Sequence, residues 1–107
     1  MKLTDKELEI MAVLWRIQKP MTASELIEIS SNRTWKENSI YIIMNTLIKK
    51  GAVALTYYKP TGTNTARAYE PKITSDEYTF ICIENISQMG IDINLNALIE
   101  RLNEKKG

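Results

Sequence analysis

Thr34-Trp-Lys-Glu-Asn-Ser-Ile-Tyr-Ile-Ile-Met-Asn-Thr-Leu-Ile-Lys-Lys-Gly51 is the stretch on which the fold turns. It has the marks of a helix with two defined ends. Thr34 is placed to cap the first turn, with Glu37 three residues on as the second half of a capping box. Gly51 supplies the left-handed residue that commonly follows a helix, and Lys49 and Lys50 lie where the helix dipole favours cations. At 100° per residue, Ile40, Ile43, Met44, Leu47 and Ile48 share one face. The opposite arc carries Asn38, Ser39, Tyr41, Ile42, Asn45, Thr46 and Lys49. Such a mixture of hydrogen-bonding groups, one cation and an apolar side chain suits the edges of bases in a major groove. An ordinary solvated helix face is the commoner reading of such a stretch taken alone, so the surrounding chain has to decide.

The length of 107 residues fits one domain, or a small domain with an appendage. No apolar run approaches the roughly 18 residues that a spanning helix needs. The start, Met1-Lys-Leu-Thr-Asp-Lys-Glu7, lacks the apolar core of an export signal. Cys82 is the one cysteine, which excludes an internal disulfide and fits a reducing cytoplasm. There is no histidine, and with it go the commonest general base, the Ser-His and Cys-His nucleophile pairs and any histidine-containing zinc site. No enzyme activity, metal or cofactor is expected.

A formal net charge of +1 is small for a nucleic-acid partner, but its distribution is uneven. Residues 1–35 carry five cations and five acids. Residues 36–72 carry six cations against two acids, and residues 73–107 three against six. The positive surplus is therefore concentrated on the Thr34–Gly51 helix and the segment after it.

Before that helix, Thr4-Asp-Lys-Glu7 is a capping box opening a helix to about Gln18, ended by Pro20. Leu8, Met11, Ala12 and Trp15 form one apolar face of it, and Ile10, Val13, Leu14 and Ile17 a second. A helix apolar on both sides belongs between two layers. Met21 begins a very short extended segment. Thr22-Ala-Ser-Glu25 is a third capping box, for a short helix from Ala23 to Ser30 with Leu26 and Ile29 facing inward. Ser30-Ser-Asn-Arg33 is a turn. Helix, short turn and helix at this spacing outline a helix-turn-helix in which the second helix is the reader.

After Gly51, residues 52–59 alternate as a strand with Val53, Leu55 and Tyr57 on one face. Pro60 to Thr65 has loop composition, and Ala66 to Pro71 returns as a second strand, giving a hairpin with a six-residue tip. A hairpin directly after the reading helix makes a winged helix. Lys59, Arg67 and the loop hydroxyls then lie where a wing meets phosphates. A helix follows from Ser75 to about Met89, capped by Thr74 or Ser75 and stopped at Gly90. In it Tyr78, Phe80, Ile81, Cys82, Ile83, Ile86 and Met89 spread over more than one face, and Cys82 reads as a core or interface residue. Asn94 caps a last helix with Leu95, Leu98, Ile99 and Leu102 in one stripe. Two such helices in about 35 residues cannot bury their apolar faces alone. A two-fold dimer is the commonest solution.

The chain resembles the penicillinase and methicillin-resistance repressors, the BlaI/MecI/CopY type. The resemblance rests on Leu3-Thr-Asp-Lys-Glu-Leu-Glu-Ile-Met-Ala-Val-Leu-Trp15, on Thr22-Ala-Ser-Glu-Leu26, on Trp35, and on Leu47-Ile-Lys-Lys-Gly-Ala-Val53. It implies a homodimeric, operator-binding repressor with an N-terminal winged helix and C-terminal dimerisation helices. Where the family's reading helix carries a Thr-x-x-Thr pair and an Arg, this chain has Ser39, Ile42 and Thr46. Leu95-Asn96-Ala97 stands in the place of the Asn-Phe bond cleaved in β-lactam-responsive members. The cysteine cluster of the copper branch is absent, and the family's last helix has no counterpart before Gly107. An unidentified inducer or processing protease is a further candidate partner.

The expected fold is mostly α with a small hairpin wing, residues 1–73 forming the winged helix-turn-helix and residues 74–107 the dimerisation region. The expected function is sequence-specific repression by a homodimer on a palindromic operator in double-stranded DNA. Asn38, Ser39, Tyr41, Ile42, Asn45 and Thr46 are the candidate base readers, and Lys36, Lys49, Lys59 and Arg67 the phosphate contacts. Tyr78, Ile81, Ile86, Leu95, Leu98, Ile99 and Leu102 are the candidate dimer interface. The alternative is a winged helix used for protein contact, with Tyr41 and Ile42 as anchors.

Overall fold

Three helices begin at reciprocal capping boxes, each built from residues three apart and each therefore local to the sequence. In a computed structural model they are α1 (Asp5–Ile17), α2 (Ala23–Ile29) and α4 (Ser75–Gln88), capped by Thr4 with Glu7, Thr22 with Glu25 and Thr74 with Glu77. The other elements are β1 (Met21–Thr22), a 3-10 turn (Glu37–Ser39), α3 (Ile40–Lys50), β2 (Val53–Thr61), β3 (Asn64–Pro71) and α5 (Leu95–Lys106). The structure describes residues 1–61 and 64–106, with side chains for 1–56 and 66–106.

Helix α1 ends with Gln18 in the left-handed region, its N–H on the Leu14 carbonyl, two residues before Pro20. Helix α3 ends on Gly51, at a φ of 79° that costs a residue without a Cβ nothing. The Gly51 and Ala52 N–H groups donate to the last-turn carbonyls of Ile48 and Leu47. Asn94 caps α5 through its side-chain oxygen, which accepts from the Ala97 N–H at 3.0 Å.

The strands form one antiparallel sheet in the order β1-β3-β2, with Met21 opposite Tyr69 and Val53 opposite Pro71. Both hairpin strands run further than composition predicts. Pro60 pairs in register with Thr65 and Thr61 with Asn64, so the expected loop from Pro60 to Thr65 is largely strand. Proline is tolerated there because β2 is an edge strand of the sheet, paired on one side by β3 and with no other strand beside it among the described residues. The predicted alternation through Leu55 and Tyr57 also breaks. The register shifts between these two residues, leaving Thr56 as the extra residue of a bulge.

The core gathers Ile10, Met11 and Leu14 from α1, Leu26 from α2, Ile40, Met44 and Leu47 from α3, and Val53 and Tyr69 from the sheet. Helix α1 packs on both α3 and β3. Its other side is covered too: the Trp15 indole N–H donates to the Ile73 carbonyl at 2.9 Å, and the Leu3 N–H donates to the Tyr78 hydroxyl at 3.2 Å. The Trp15 and Tyr78 ring centroids are 6.2 Å apart. The two apolar faces of α1 are thus both used, with Ala12 left outside.

Two assignments change. Ile29 is 41% exposed, and Ile27 packs against the core instead, because α2 stops at Ile29 and turns away. Trp35 and Thr34 are not helical. Trp35 is 2% exposed, inserted in the core, and Lys36 after it is extended, so helical structure starts only at Glu37. Thr34 accordingly caps nothing. Its N–H and hydroxyl both donate to the Glu9 carboxylate, which lowers the Glu9 pKa from the ordinary range.

Beyond α1 the last two helices are sparsely covered. Tyr78 and Cys82 lie against the core, residues 84–92 are exposed, and no residue of α5 is buried. The radius of gyration is 16.3 Å, where a compact domain of this length has about 13 Å.

Glu7 ties the start of α1 to the end of α3. One oxygen of its buried carboxylate accepts from the Thr4 N–H at 2.8 Å and from the Lys50 ammonium at 2.6 Å, and Lys50 also donates to the Lys2 carbonyl. Burial pushes the Glu7 pKa up, but the Lys50 ammonium and the Thr4 donors together outweigh it and hold the value below the ordinary one. A depressed folded pKa contributes stability above the unfolded value of about 4.3, lost as pH falls through the folded value. Glu7→Gln should lower unfolding stability by about 1–3 kcal/mol at pH 7. In urea titrations at stepped pH the gap to the parent should narrow below about pH 4; a gap independent of pH would show that the carboxylate charge is not the source.

Candidate nucleic-acid interface

Burial of Ile40, Met44 and Leu47 decides which way α3 points, because these three side chains have no exposed surface. Residues about 180° away on the helix must then face out. Asn38, Tyr41, Ile42, Asn45 and Lys49 are all exposed, while Ser39 and Thr46 are half-buried. Tyr41 is 59% and Ile42 70% exposed, large values for apolar or aromatic side chains in a packed chain. Ile48, assigned to the inner face, sits at its margin and is partly exposed.

Helical structure across the outward face is continuous, the 3-10 turn Glu37–Ser39 leading directly into α3. Asn38 and Ser39 therefore lie at the start of the helical rod, the end that enters a groove in helix-turn-helix docking. The Ser39 hydroxyl makes no capping bond. The Thr46 hydroxyl donates to the Ile42 carbonyl at 3.0 Å, so its proton is engaged and its oxygen is left to accept. Asn45 combines exposure with an amide that can both donate and accept, the property that suits adenine.

The basic side chains divide into two groups. Among the described residues, no acidic group pairs with exposed Lys36 or Lys49, on either side of the outward face. Arg67 is exposed on β3, in register with Tyr58. The side chain of Lys59, and those of the hydroxyl residues at the hairpin tip, lie outside the described residues. Lys50 and Arg33 belong to the fold instead. Lys50 is bound by Glu7, and the Arg33 guanidinium lies 5.0 Å from the Trp35 ring centroid while donating to the Ile27 and Ser30 carbonyls at the open end of α2.

These structural roles were beyond reach of sequence reasoning. Glu7 and Lys50 are 43 positions apart, and Glu9 and Thr34 are 25 apart. The one available signal was the surplus of cations in the last turn of α3, which does not say which lysine faces inward.

Of the seven side chains expected at a dimer interface, Tyr78 is buried within its own chain, on Leu3 and Trp15. Burial pushes its phenol above the ordinary range, a shift that the Leu3 N–H partly offsets, and it stays neutral at physiological pH. Ile81 is half-buried. Ile86, Leu95, Leu98, Ile99 and Leu102 are exposed on the single chain.

The penicillinase repressor family model matches residues 3–106 of the chain. The penicillinase repressor of Bacillus licheniformis is 28% identical over 98 residues, 92% of this chain and 73% of the relative. Among solved structures, a PadR family transcriptional regulator from Eggerthella lenta superposes with a TM-score of 0.48 at 22% identity, covering 92% of this chain and 87% of its own.

The two lysines at the end of α3 should respond differently to truncation. Lys50→Ala leaves the buried Glu7 carboxylate without its cation and is expected to cost about 1–3 kcal/mol of unfolding stability. Lys49→Ala touches an exposed side chain and should stay within about 0.5 kcal/mol of the parent. Equal losses in chemical denaturation would contradict this division.

Proposed function

The chain belongs to the penicillinase repressor family of winged-helix transcriptional repressors, and from that premise we propose that it acts as a homodimer on a palindromic operator in double-stranded DNA. Residues 1–73 are the DNA-binding unit and residues 74–107 the dimerisation unit. Helix α3 enters the major groove, Asn38, Ser39 and Asn45 hydrogen-bond base edges, and Tyr41, Ile42 and Thr46 complete the contact. Ile42 is suited to a thymine methyl. Lys36, Lys49, Lys59 and Arg67 hold the phosphates.

One observation carries the reading. Ile40, Met44 and Leu47 on the back of α3 are fully buried, and the opposite face offers exposed Asn38, Tyr41, Ile42 and Asn45 between two lysines that pair with no acid among the described residues. The dimer is supported by the exposed Ile86, Leu95, Leu98, Ile99 and Leu102, apolar side chains on helices with little covering of their own. The exposure of Tyr41 and Ile42 also favours a second reading, docking of a protein partner on α3. That reading requires feeble binding to duplexes, blind to their sequence.

Selection of bound sites from random duplexes separates the two, since the proposed function should enrich an inverted repeat. Asn45→Ala should weaken operator binding by about 1–3 kcal/mol and relax the choice at one base pair. Lys49→Ala should weaken all duplexes alike and reduce the magnitude of the salt slope by about 1. Unchanged discrimination by the Asn45 variant would remove that residue from the reading face. Glutamate at both Leu98 and Leu102 should give a monomer in sedimentation equilibrium; a retained dimer would put the interface elsewhere.

A further inference from the structure

Helix α4 is attached to the winged helix at one end only. Its first two turns bring Tyr78 and Cys82 onto the core, and Ile73 packs there just before it. Residues 84–90 are exposed, and α5 buries nothing. At the attached end two hydrogen bonds and one ring contact converge: Trp15 to the Ile73 carbonyl, Leu3 to the Tyr78 hydroxyl, and Trp15 against Tyr78. Both hydrogen bonds are long-range, 58 and 75 positions apart, and neither caps a helix. They constrain the direction in which α4 leaves α1.

We propose that Trp15 and Tyr78 are positioning residues that set the distance between the two DNA half-sites, by fixing the angle between the winged helix and the tail. This rests on the dimeric operator-binding reading above. The lever is long enough to matter. The 14 residues of α4 span about 21 Å, so a tilt of about 10° at the joint moves the far end by about 3.6 Å, near one base-pair step. In a two-fold dimer joined through the tail, the same tilt displaces both reading helices. Half-site spacing mirrors the geometry of the dimer, so a joint held at two hydrogen bonds admits one spacing and a loosened joint several.

The joint is built for angular restraint as well as burial. Tyr78 is 8% exposed, so its ring already supplies apolar packing. Its hydroxyl adds a directional bond to the backbone at Leu3. Lys2, the preceding residue, accepts from Lys50 at the end of α3. The segment Lys2–Leu3 therefore touches the last turn of α3 and the first turn of α4 together.

The test is site selection on the full chain with a library that varies half-site separation, run on the parent, Tyr78→Phe and Trp15→Phe. The parent should enrich one separation, and a duplex with one base pair added or removed should bind at least about tenfold more weakly, because DNA must deform to compensate. Both variants should enrich the same half-site sequence over a spread of two or more separations. Affinity for a lone half-site should be unchanged within about twofold, which a variant with a largely unfolded domain would not preserve. Variants that retain the single separation overturn the proposal. So does a parent that tolerates shifted half-sites, a result that needs no variant to fold. A parent that enriches no paired half-sites overturns the dimeric reading itself, a different result from paired sites with free spacing.

Discussion

Helix α1 has to bury two apolar faces, and the architecture follows from how that is done. Ile10, Met11 and Leu14 have no exposed surface, and no single neighbour could cover them together with Trp15 and Leu8. Packing on α3 and β3 covers one side and closes the winged helix. The linker at Ile73 and the start of α4 cover the other. One consequence is that α3 turns Ile40, Met44 and Leu47 inward, so its polar arc has no place to go but outward. Another is that the tail leaves the domain from a defined point on α1.

Charge follows the same division. Carboxylates that are buried or hydrogen-bonded serve the fold: Glu7 links α1 to the end of α3, and Glu9 secures the turn at Thr34. Each replaces an interaction that water would otherwise supply, and the depressed pKa of each shows that the charged form is the favoured one. Arg33 closes the open end of α2 and covers Trp35. Left in solvent near α3 are Lys36 and Lys49, with Arg67 on the hairpin, against the carboxylate of Glu37. A chain whose net charge is only +1 thus has cations available where the proposed function needs them, since the acids of the region are few and the tail carries its own surplus of acids.

Local rules were legible and long-range ones were not. The Thr-x-x-Glu boxes at Thr4, Thr22 and Thr74 formed as their spacing requires, because donor and acceptor lie within one turn. Thr34 and Glu37 have the same spacing and did not, because Trp35 between them is held in the core and keeps the backbone extended. Periodicity identified the buried back of α3, yet it could not tell Ile27 from Ile29 in a seven-residue helix, where the turn that follows decides. Loop composition at Pro60–Thr65 lost to the sheet, since an edge strand accepts proline. In the proposed site, exposure of Tyr41, Ile42 and Asn45 could be read from the helical period. The engagement of Lys50 by Glu7 and of the Thr46 hydroxyl by the Ile42 carbonyl depends on packing and rotamer, which the period does not carry.

The central claim is that the outward face of α3 reads DNA. Titrating ¹⁵N-labelled protein with a selected duplex tests it most directly, through backbone amides and the side-chain amides of Asn38 and Asn45. The largest shifts should fall along Asn38–Lys49, with a second group near Arg67 and little change in α5. Shifts confined to α4 and α5, with the Asn38 and Asn45 side chains unmoved at saturation, would contradict it.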